Sequence, residues 1–111
     1  MLVLRAVLGS PAAERTLLYL QNYGDGYARG IARTFGLSAS QVLKQLNKFE
    51  DASILVSRPV GRARVYYWNE RNGLVGDLRR LLQSALEALP RDEIQRFYRE
   101  RRRPRRRGKP S

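Results

Sequence analysis

Residues 27–52 constrain the fold most strongly, because their apolar pattern predicts two short helices separated by a very tight turn. Apolar side chains spaced three and four residues apart lie on one face of a helix. In the first predicted helix these residues are Ala28, Ile31, Ala32 and Phe35. In the second they are Val42, Leu46 and Phe49. Each helix is therefore expected to bury one face and to expose the other.

The turn between these helices carries its own stop and start signals. Gly36 is expected to adopt the left-handed conformation that ends a helix, and Leu37 is expected to pack between the two helices. Ser38 and Gln41 have the spacing of a capping box, in which each side chain binds the backbone amide of the other residue. The second helix is therefore predicted to begin directly after Ser38.

The exposed face of the second helix is predicted to carry polar groups that bind base edges and phosphates. Two helices joined by a glycine-centred turn form a helix-turn-helix, whose second helix enters the DNA major groove. A pair of helices whose polar faces are merely solvated is the alternative. The predicted DNA-contacting residues of this segment are Arg29, Arg33, Ser38, Ser40, Gln41, Lys44, Gln45 and Lys48.

A hairpin is predicted to follow, with strands at residues 54–60 and 63–68, because both stretches are rich in β-branched, aliphatic and aromatic residues. Gly61 provides the turn, and Pro59, which has no amide hydrogen to donate, indicates an edge strand or a loop. Basic side chains cluster near the tip, where a flat antiparallel arm would meet the phosphate backbone or the minor groove. These predicted DNA contacts are Arg58, Arg62 and Arg64.

This order of elements resembles the winged-helix regulators of the ArsR and MarR families over about residues 10–89. The matching residues are Leu8-Gly9-Ser10, Ile31-Ala32, Phe35-Gly36-Leu37-Ser38, Val42, Leu46, Phe49 and Ala52-Ser53-Ile54-Leu55-Val56. The resemblance implies a mainly α fold with a two-stranded β-wing, that is, a winged helix-turn-helix. It also implies a sequence-specific regulator of transcription that binds double-stranded DNA as a homodimeric repressor.

Two residues depart from the pattern of these families. Ser53 stands where such proteins mostly carry a glycine in the left-handed conformation, a substitution that costs about 1 kcal/mol of backbone strain. Gly30 lies inside the first helix of the motif, where glycine costs about 1 kcal/mol relative to alanine.

The segments that precede the motif are predicted to support it. Ser10 and Pro11 are of the types preferred at the N-cap and at the first position of a helix. The glycine-rich residues 22–26 are expected to form the loop that ends this helix. The apolar residues 1–8 are interrupted by Arg5 and are interpreted as a segment that packs on the domain, not as a signal peptide.

Residues 74–89 form the most leucine-rich stretch, and their leucines fall on two helical stripes. One stripe would suffice to dock the helix on the chain's own core. Two stripes predict burial on two sides and hence a homodimer, whereas one broad face buried within the chain is the alternative. The predicted dimer-interface residues are Leu74, Leu78, Leu81, Leu82, Leu86 and Leu89.

Composition divides the chain into a winged-helix domain with a C-terminal dimerisation helix at residues 1–89, a short helix at 90–98, and an Arg-rich tail at 99–111. The tail holds seven arginines and one lysine against one glutamate, in a chain of net charge +12. Such a run is expected to be disordered when free and to attract nucleic acid. Its predicted DNA-binding residues are Arg101, Arg102, Arg103, Arg105, Arg106 and Arg107.

The chain has no cysteine and no histidine, so thiol chemistry, imidazole bases and the usual zinc or copper ligands are absent. No enzyme activity, cofactor or metal is therefore expected, and the metal-sensing branch of the ArsR resemblance is disfavoured. No apolar run reaches the roughly 18 residues that span a bilayer. Because the sequence shows neither an export signal nor cysteines, the protein is expected in the cytoplasm. The alternative functions are an adaptor or antitoxin-like partner of a separate enzyme such as a nucleotidyltransferase, and RNA binding through the tail.

Overall fold

The structure is a computed structural model that describes residues 2–98. Within those residues the chain forms six α-helices, three β-strands and a final π-helical turn. The helices are α1 (Leu2–Leu8), α2 (Pro11–Tyr23), α3 (Ala28–Phe35), α4 (Ala39–Asp51), α5 (Val75–Glu87) and α6 (Arg91–Glu93), followed by the π-helix (Ile94–Tyr98). The strands are β1 (Asp25–Gly26), β2 (Leu55–Val60) and β3 (Ala63–Trp68). The predicted order of helix, helix-turn-helix, hairpin and helix is confirmed.

Helix α2 has the predicted start and lies at the centre of the fold. The Ser10 hydroxyl accepts a 3.0 Å hydrogen bond from the Ala13 amide, and Pro11 occupies the first helical position. The helix ends at Gly24, which has a φ of 94° and donates its amide hydrogen to the carbonyl of Leu20. Because α2 packs against α1, α3, α4 and α5, its buried side chains hold the separate elements in one core.

The turn between α3 and α4 has the predicted conformation. Gly36 lies in the left-handed region with a φ of 69°, and Leu37 packs against the core from a partly buried position. The Ser38 hydroxyl accepts a hydrogen bond from the Gln41 amide, and the Gln41 side-chain oxygen accepts one from the Ser38 amide. Both halves of the capping box are therefore present, and α4 begins at the residue after Ser38.

Strands β2 and β3 form the predicted hairpin. Val60 pairs with Ala63 across a two-residue loop, in which Gly61 has a φ of 61°. A positive φ at the first loop position is the requirement of a tight hairpin turn that glycine meets most easily. Strand β2, which contains Pro59, is an edge strand, as the missing amide hydrogen indicated.

The sheet has a third strand, in a stretch that was predicted to be a loop. Strand β1 pairs antiparallel with β3, so that Asp25 faces Tyr67 and Gly26 faces Tyr66. The strand order is β1-β3-β2, and the loop prediction is wrong for Asp25 and Gly26, and also for Asn22 and Tyr23, which belong to α2. A strand of two residues that contains glycine has no alternating pattern, and only its pairing with β3 defines it.

The two residues that depart from the family pattern are explained by their surroundings. Ser53 has a φ of 65° and is the one non-glycine residue with a positive φ among residues 2–98, as predicted. Its carbonyl oxygen accepts hydrogen bonds from the side-chain amides of Asn69 and Asn72. At Gly30, an added Cβ atom would lie 2.9 Å from Cε1 of Tyr27. Glycine therefore allows the Tyr27 ring to lie directly against α3.

The leucines of α5 and of the residues that flank it divide between the core and the surface. Leu82, Leu86 and Leu89 are buried in the chain's own core, with exposed fractions of 0%, 6% and 7%. Their assignment to a dimer interface is therefore wrong, because a helix that packs on α2 must first bury one full stripe within the chain. Leu74 and Leu81 are exposed, at 75% and 48%, and Leu78 is partly buried.

Both ends of the described chain pack on the domain. Leu4 of α1 is buried in the core, and the Arg5 guanidinium forms a 2.7 Å ion pair with the buried Glu14 carboxylate. At the other end, the ring centroids of Phe97 and Phe35 lie 5.0 Å apart. No helix among residues 2–98 is both long and apolar enough to cross a membrane.

Candidate nucleic-acid interface

Helix α4 presents most of the predicted polar residues on its exposed face. Ser40, Gln41 and Lys44 are all exposed, and they lie in the first half of the helix. Gln45 is only partly exposed, and its side-chain oxygen is buried without a hydrogen-bond partner among the described residues. The prediction that Gln45 faces outward is therefore wrong: at 100° per residue it lies next to Phe49, at the edge of the buried stripe.

The capping box restricts what Gln41 can do. Its side-chain oxygen is held by the amide of Ser38 at 3.0 Å and by the hydroxyl of Ser38 at 3.1 Å. The Ser38 hydroxyl in turn lies 3.2 Å from that of Ser40. The carboxamide of Gln41 is thus held in one orientation, and its NH₂ group is the part that remains to donate to a ligand.

Lys48 is exposed but bonds to another part of the chain. Its ammonium group donates a 3.2 Å hydrogen bond to the carbonyl of Leu8, the last residue of α1, and lies 5.0 Å from the ring centroid of Phe49. A cation near the end of a helix interacts favourably with the carbonyl groups there. Lys48 therefore joins α4 to α1, a contact between residues forty apart that no local pattern could show.

The three wing arginines do not form one cluster. Arg58 pairs with Val65 in the hairpin and Arg64 pairs with Pro59, so the two arginines lie on opposite faces of the sheet. On the outer face, the Arg58 guanidinium lies 5.7 Å from the ring centroid of Tyr67. Arg62 lies in the turn itself. The predicted cluster at the tip is therefore split into two faces by the alternation of side chains along a strand.

The face of the β2–β3 hairpin that lies toward α4 carries a series of linked hydrogen bonds. The Arg64 guanidinium donates a 3.1 Å hydrogen bond to the Ser57 hydroxyl, which donates a 2.7 Å hydrogen bond to the Glu50 carboxylate. Nearby, the Tyr66 hydroxyl donates a 3.0 Å hydrogen bond to the side-chain oxygen of Asn47. Burial and the negative charge of Glu50 raise the pKa of Tyr66, which keeps its hydroxyl protonated as a donor. These contacts fix the wing against α4.

A cleft of about 620 Å³ separates the wing from α3 and α4. Arg29 of α3 and the wing residues Arg62 and Arg64 supply its cationic groups. Three exposed apolar side chains also line it: Tyr27, Leu43 and Val60. The structure thus brings Arg29, Arg62 and Arg64 together, whereas Arg58 lies on the other face of the sheet and Arg33 lies on the exposed side of α3 outside the cleft.

The apolar part of this cleft was not predicted from the sequence. Leu43 lies outside the buried stripe of α4, and an apolar residue outside the stripe of an amphipathic helix was a signal present in the sequence. Tyr27 and Val60 gave no such signal, because each belongs to a helix boundary or a strand end where no periodic pattern applies. The predicted contacts at Arg101, Arg102, Arg103, Arg105, Arg106 and Arg107 lie outside the described residues and stay predictions.

Comparison with known proteins supports the fold. No protein-family model matches the sequence, and no curated protein matches it. The structure of a transcriptional regulator of the MarR family from Rhodococcus sp. RHA1 superimposes with a TM-score of 0.53 at 18% identity, over 82% of this chain and 71% of that one. A double mutant of ZitR from Lactococcus lactis, in its apo form, also gives a TM-score of 0.53, at 13% identity, over 84% of this chain and 79% of the other. The chain therefore has the winged helix-turn-helix fold that it shares with a MarR-family regulator.

Proposed function

We propose that this protein is a sequence-specific regulator of transcription that binds double-stranded DNA, with α4 as its recognition helix. One observation carries the proposal. The exposed polar face of α4 lies beside a cleft whose borders carry Arg29, Arg62 and Arg64. A similar fold in a protein described as a transcriptional regulator supports the same conclusion.

The dimensions of α4 fit the major groove of a duplex. A helix of 13 residues is about 20 Å long, and a B-DNA major groove about 12 Å wide admits one helix. Recognition helices contact bases through their N-terminal residues, which here include Ser40, Gln41 and Lys44. The arginines of α3 and of the wing would then lie near the phosphates on either side of the groove, where their charge contributes affinity without sequence preference.

A homodimeric repressor is the specific form that we propose. Leu74 and Leu81 expose large apolar side chains on one side of α5, with the partly buried Leu78 between them in sequence. A second copy of the chain packed on this stripe would bring two recognition helices into one assembly. Helix-turn-helix dimers bind half-sites about one helical turn apart, so the target is expected to be a palindrome. Bound over a promoter, such a dimer would block transcription without any further domain.

The test is a selection from random duplexes, followed by binding titrations at fixed salt. Lys44→Ala and Ser40→Ala should each reduce the discrimination between selected and random DNA by about 1–3 kcal/mol. Lys48→Ala is the matched control, because it removes the same side chain as Lys44→Ala from the same helix at a position that bonds to Leu8. It should keep the wild-type sequence preference. Failure of the wild-type protein to enrich any duplex would exclude the proposed function.

A further inference from the structure

Leu43 is a large apolar side chain that α4 exposes among polar neighbours. It is 41% exposed, and Ser40, Lys44 and Asn47 lie within one turn of it. Single exposed leucines are common on protein surfaces and need no explanation by themselves. Leu43, however, lines the same cleft as Tyr27 and Val60, which are 38% and 51% exposed.

The chemistry of this cleft restricts its ligand. Three arginines line the cleft, namely Arg29, Arg62 and Arg64, so its ligand should carry anionic groups. Leu43 lines the same cleft, so the ligand should also carry an apolar group within reach of α4. The major groove of DNA meets both requirements, because phosphates line its edges and each thymine places a C5 methyl group on its floor. Adenine, guanine and cytosine present no methyl group there.

We propose that Leu43 is a specificity-determining residue, which contacts the C5 methyl group of a thymine in the target sequence. This inference rests on the proposed function of α4 as the recognition helix. Ser40 and Lys44 would bind polar base edges beside the thymine, and Leu43 would exclude water from its methyl group. Leu43 thus discriminates thymine from cytosine, which presents an amino group and no methyl at the same edge of the groove.

The experiment removes the methyl group from the DNA and its partner from the protein. Selection with the full chain first yields a target duplex, and each thymine of that duplex is then replaced in turn by deoxyuridine, which lacks only the C5 methyl. Loss of one buried methyl group should weaken binding by about fourfold at the thymine that Leu43 contacts. Leu43→Ala should bind the thymine duplex more weakly and should no longer distinguish thymine from uracil at that position.

Two further variants separate contact from folding. Leu43→Met keeps an apolar side chain of similar volume and should retain most of the methyl dependence. Val7→Ala truncates an exposed apolar side chain of α1 outside both the cleft and the proposed dimer stripe, at 68% exposure. It should keep the full ratio of thymine to uracil affinity, whatever its effect on the absolute affinity.

The possible failures are distinguishable. Equal affinity of the wild-type protein for every uracil-substituted duplex would overturn the inference, and so would an unchanged thymine-to-uracil ratio in Leu43→Ala. Either result would leave DNA binding itself intact. A selection that enriches no duplex would instead overturn the proposed function, and the inference with it.

Discussion

The hydroxyl group of Tyr66 on β3 donates a 3.0 Å hydrogen bond to the side-chain oxygen of Asn47 on α4. Tyr66 is 2% exposed, so the bond runs from the core to the surface between the wing and α4. It lies at one side of the cleft that holds Arg64 and Leu43. The distance across that cleft is therefore set by a specific bond as well as by apolar packing.

Tyr66→Phe should lower the free energy of unfolding by about 1 kcal/mol, because it removes a hydrogen bond while keeping the aromatic ring. Urea denaturation measures this change. Tyr27→Phe is the control, since the Tyr27 hydroxyl makes no hydrogen bond within residues 2–98, and its removal should leave the stability unchanged. Equal stability of wild-type and Tyr66→Phe proteins would show that the bond contributes nothing to folding.

Ser53→Gly should stabilise the protein by about 0.5–1 kcal/mol. The left-handed conformation costs a non-glycine residue about 1–2 kcal/mol, and the greater flexibility of glycine in the unfolded chain offsets part of the gain. Thermal or urea unfolding measures the difference. Ser84→Gly on the exposed face of α5 should instead lower the free energy of unfolding, because glycine is disfavoured inside a helix. If Ser53→Gly destabilised the protein as Ser84→Gly does, the backbone at Ser53 would not be strained.

Leu74→Glu with Leu81→Glu should give a folded monomer, because both side chains are exposed in the isolated chain and would be covered by the second copy in the proposed homodimer. Analytical ultracentrifugation at tens of micromolar measures the mass, and circular dichroism measures the helix content. Leu82→Glu should instead unfold the protein, since it places a charge in the core at a side chain that is 0% exposed. A wild-type protein that sediments as a monomer would rule out the proposed homodimer.

Deletion of residues 99–111 should weaken binding to target and random duplexes alike and should leave their ratio nearly unchanged. If the tail neutralises about five to eight phosphates, it contributes about −5 to −7 to the slope of log affinity against log salt. Titrations at several salt concentrations measure this slope. If the slope of log affinity against log salt is unchanged by the deletion, the tail does not contact the DNA. Its charge would then bind RNA or an acidic protein partner instead.

Stability should fall in alkali through the buried tyrosines. Burial is the main cause that raises the pKa of Tyr98 above its ordinary value of 10.0, and the nearby Glu93 carboxylate raises it further. The folded state thus holds this proton more tightly than the unfolded state, so stability is fully present below pH 10 and is lost as the pH rises above it. The loss from one such group is limited to about 1.4 kcal/mol per pH unit.

Urea unfolding of wild-type and Tyr98→Phe proteins between pH 8 and pH 11 measures this dependence on pH. Tyr98→Phe should lose less stability than the wild type over that range, because the variant has no hydroxyl to ionise at this position. The comparison cancels the titration of lysines and of the other tyrosines. Parallel curves for the two proteins would contradict the raised pKa.

Local sequence signals determined the elements that need few distant contacts. The stop at Gly36, the capping box of Ser38 and Gln41, and the turn at Gly61 were all predictable, because each depends on the conformational preferences of residues within one turn. The left-handed conformation of Ser53 was expected from the family resemblance and is present. For the same reason, the order of helices and hairpin, and hence the fold, could be inferred from the sequence.

Tertiary structure decided which side of each element is free. Periodicity placed two leucine stripes on α5, but only the packing of α5 on α2 shows that Leu82 belongs to the core and Leu81 to the surface. The register of β2 against β3 places Arg58 and Arg64 on opposite faces of the sheet. Lys48 lies toward α1 because its ammonium group bonds to the carbonyl of Leu8. The sequence by itself therefore determined the elements and their charges, while the composition of the cleft around Leu43 depended on contacts between residues distant in the chain, which no local pattern encodes.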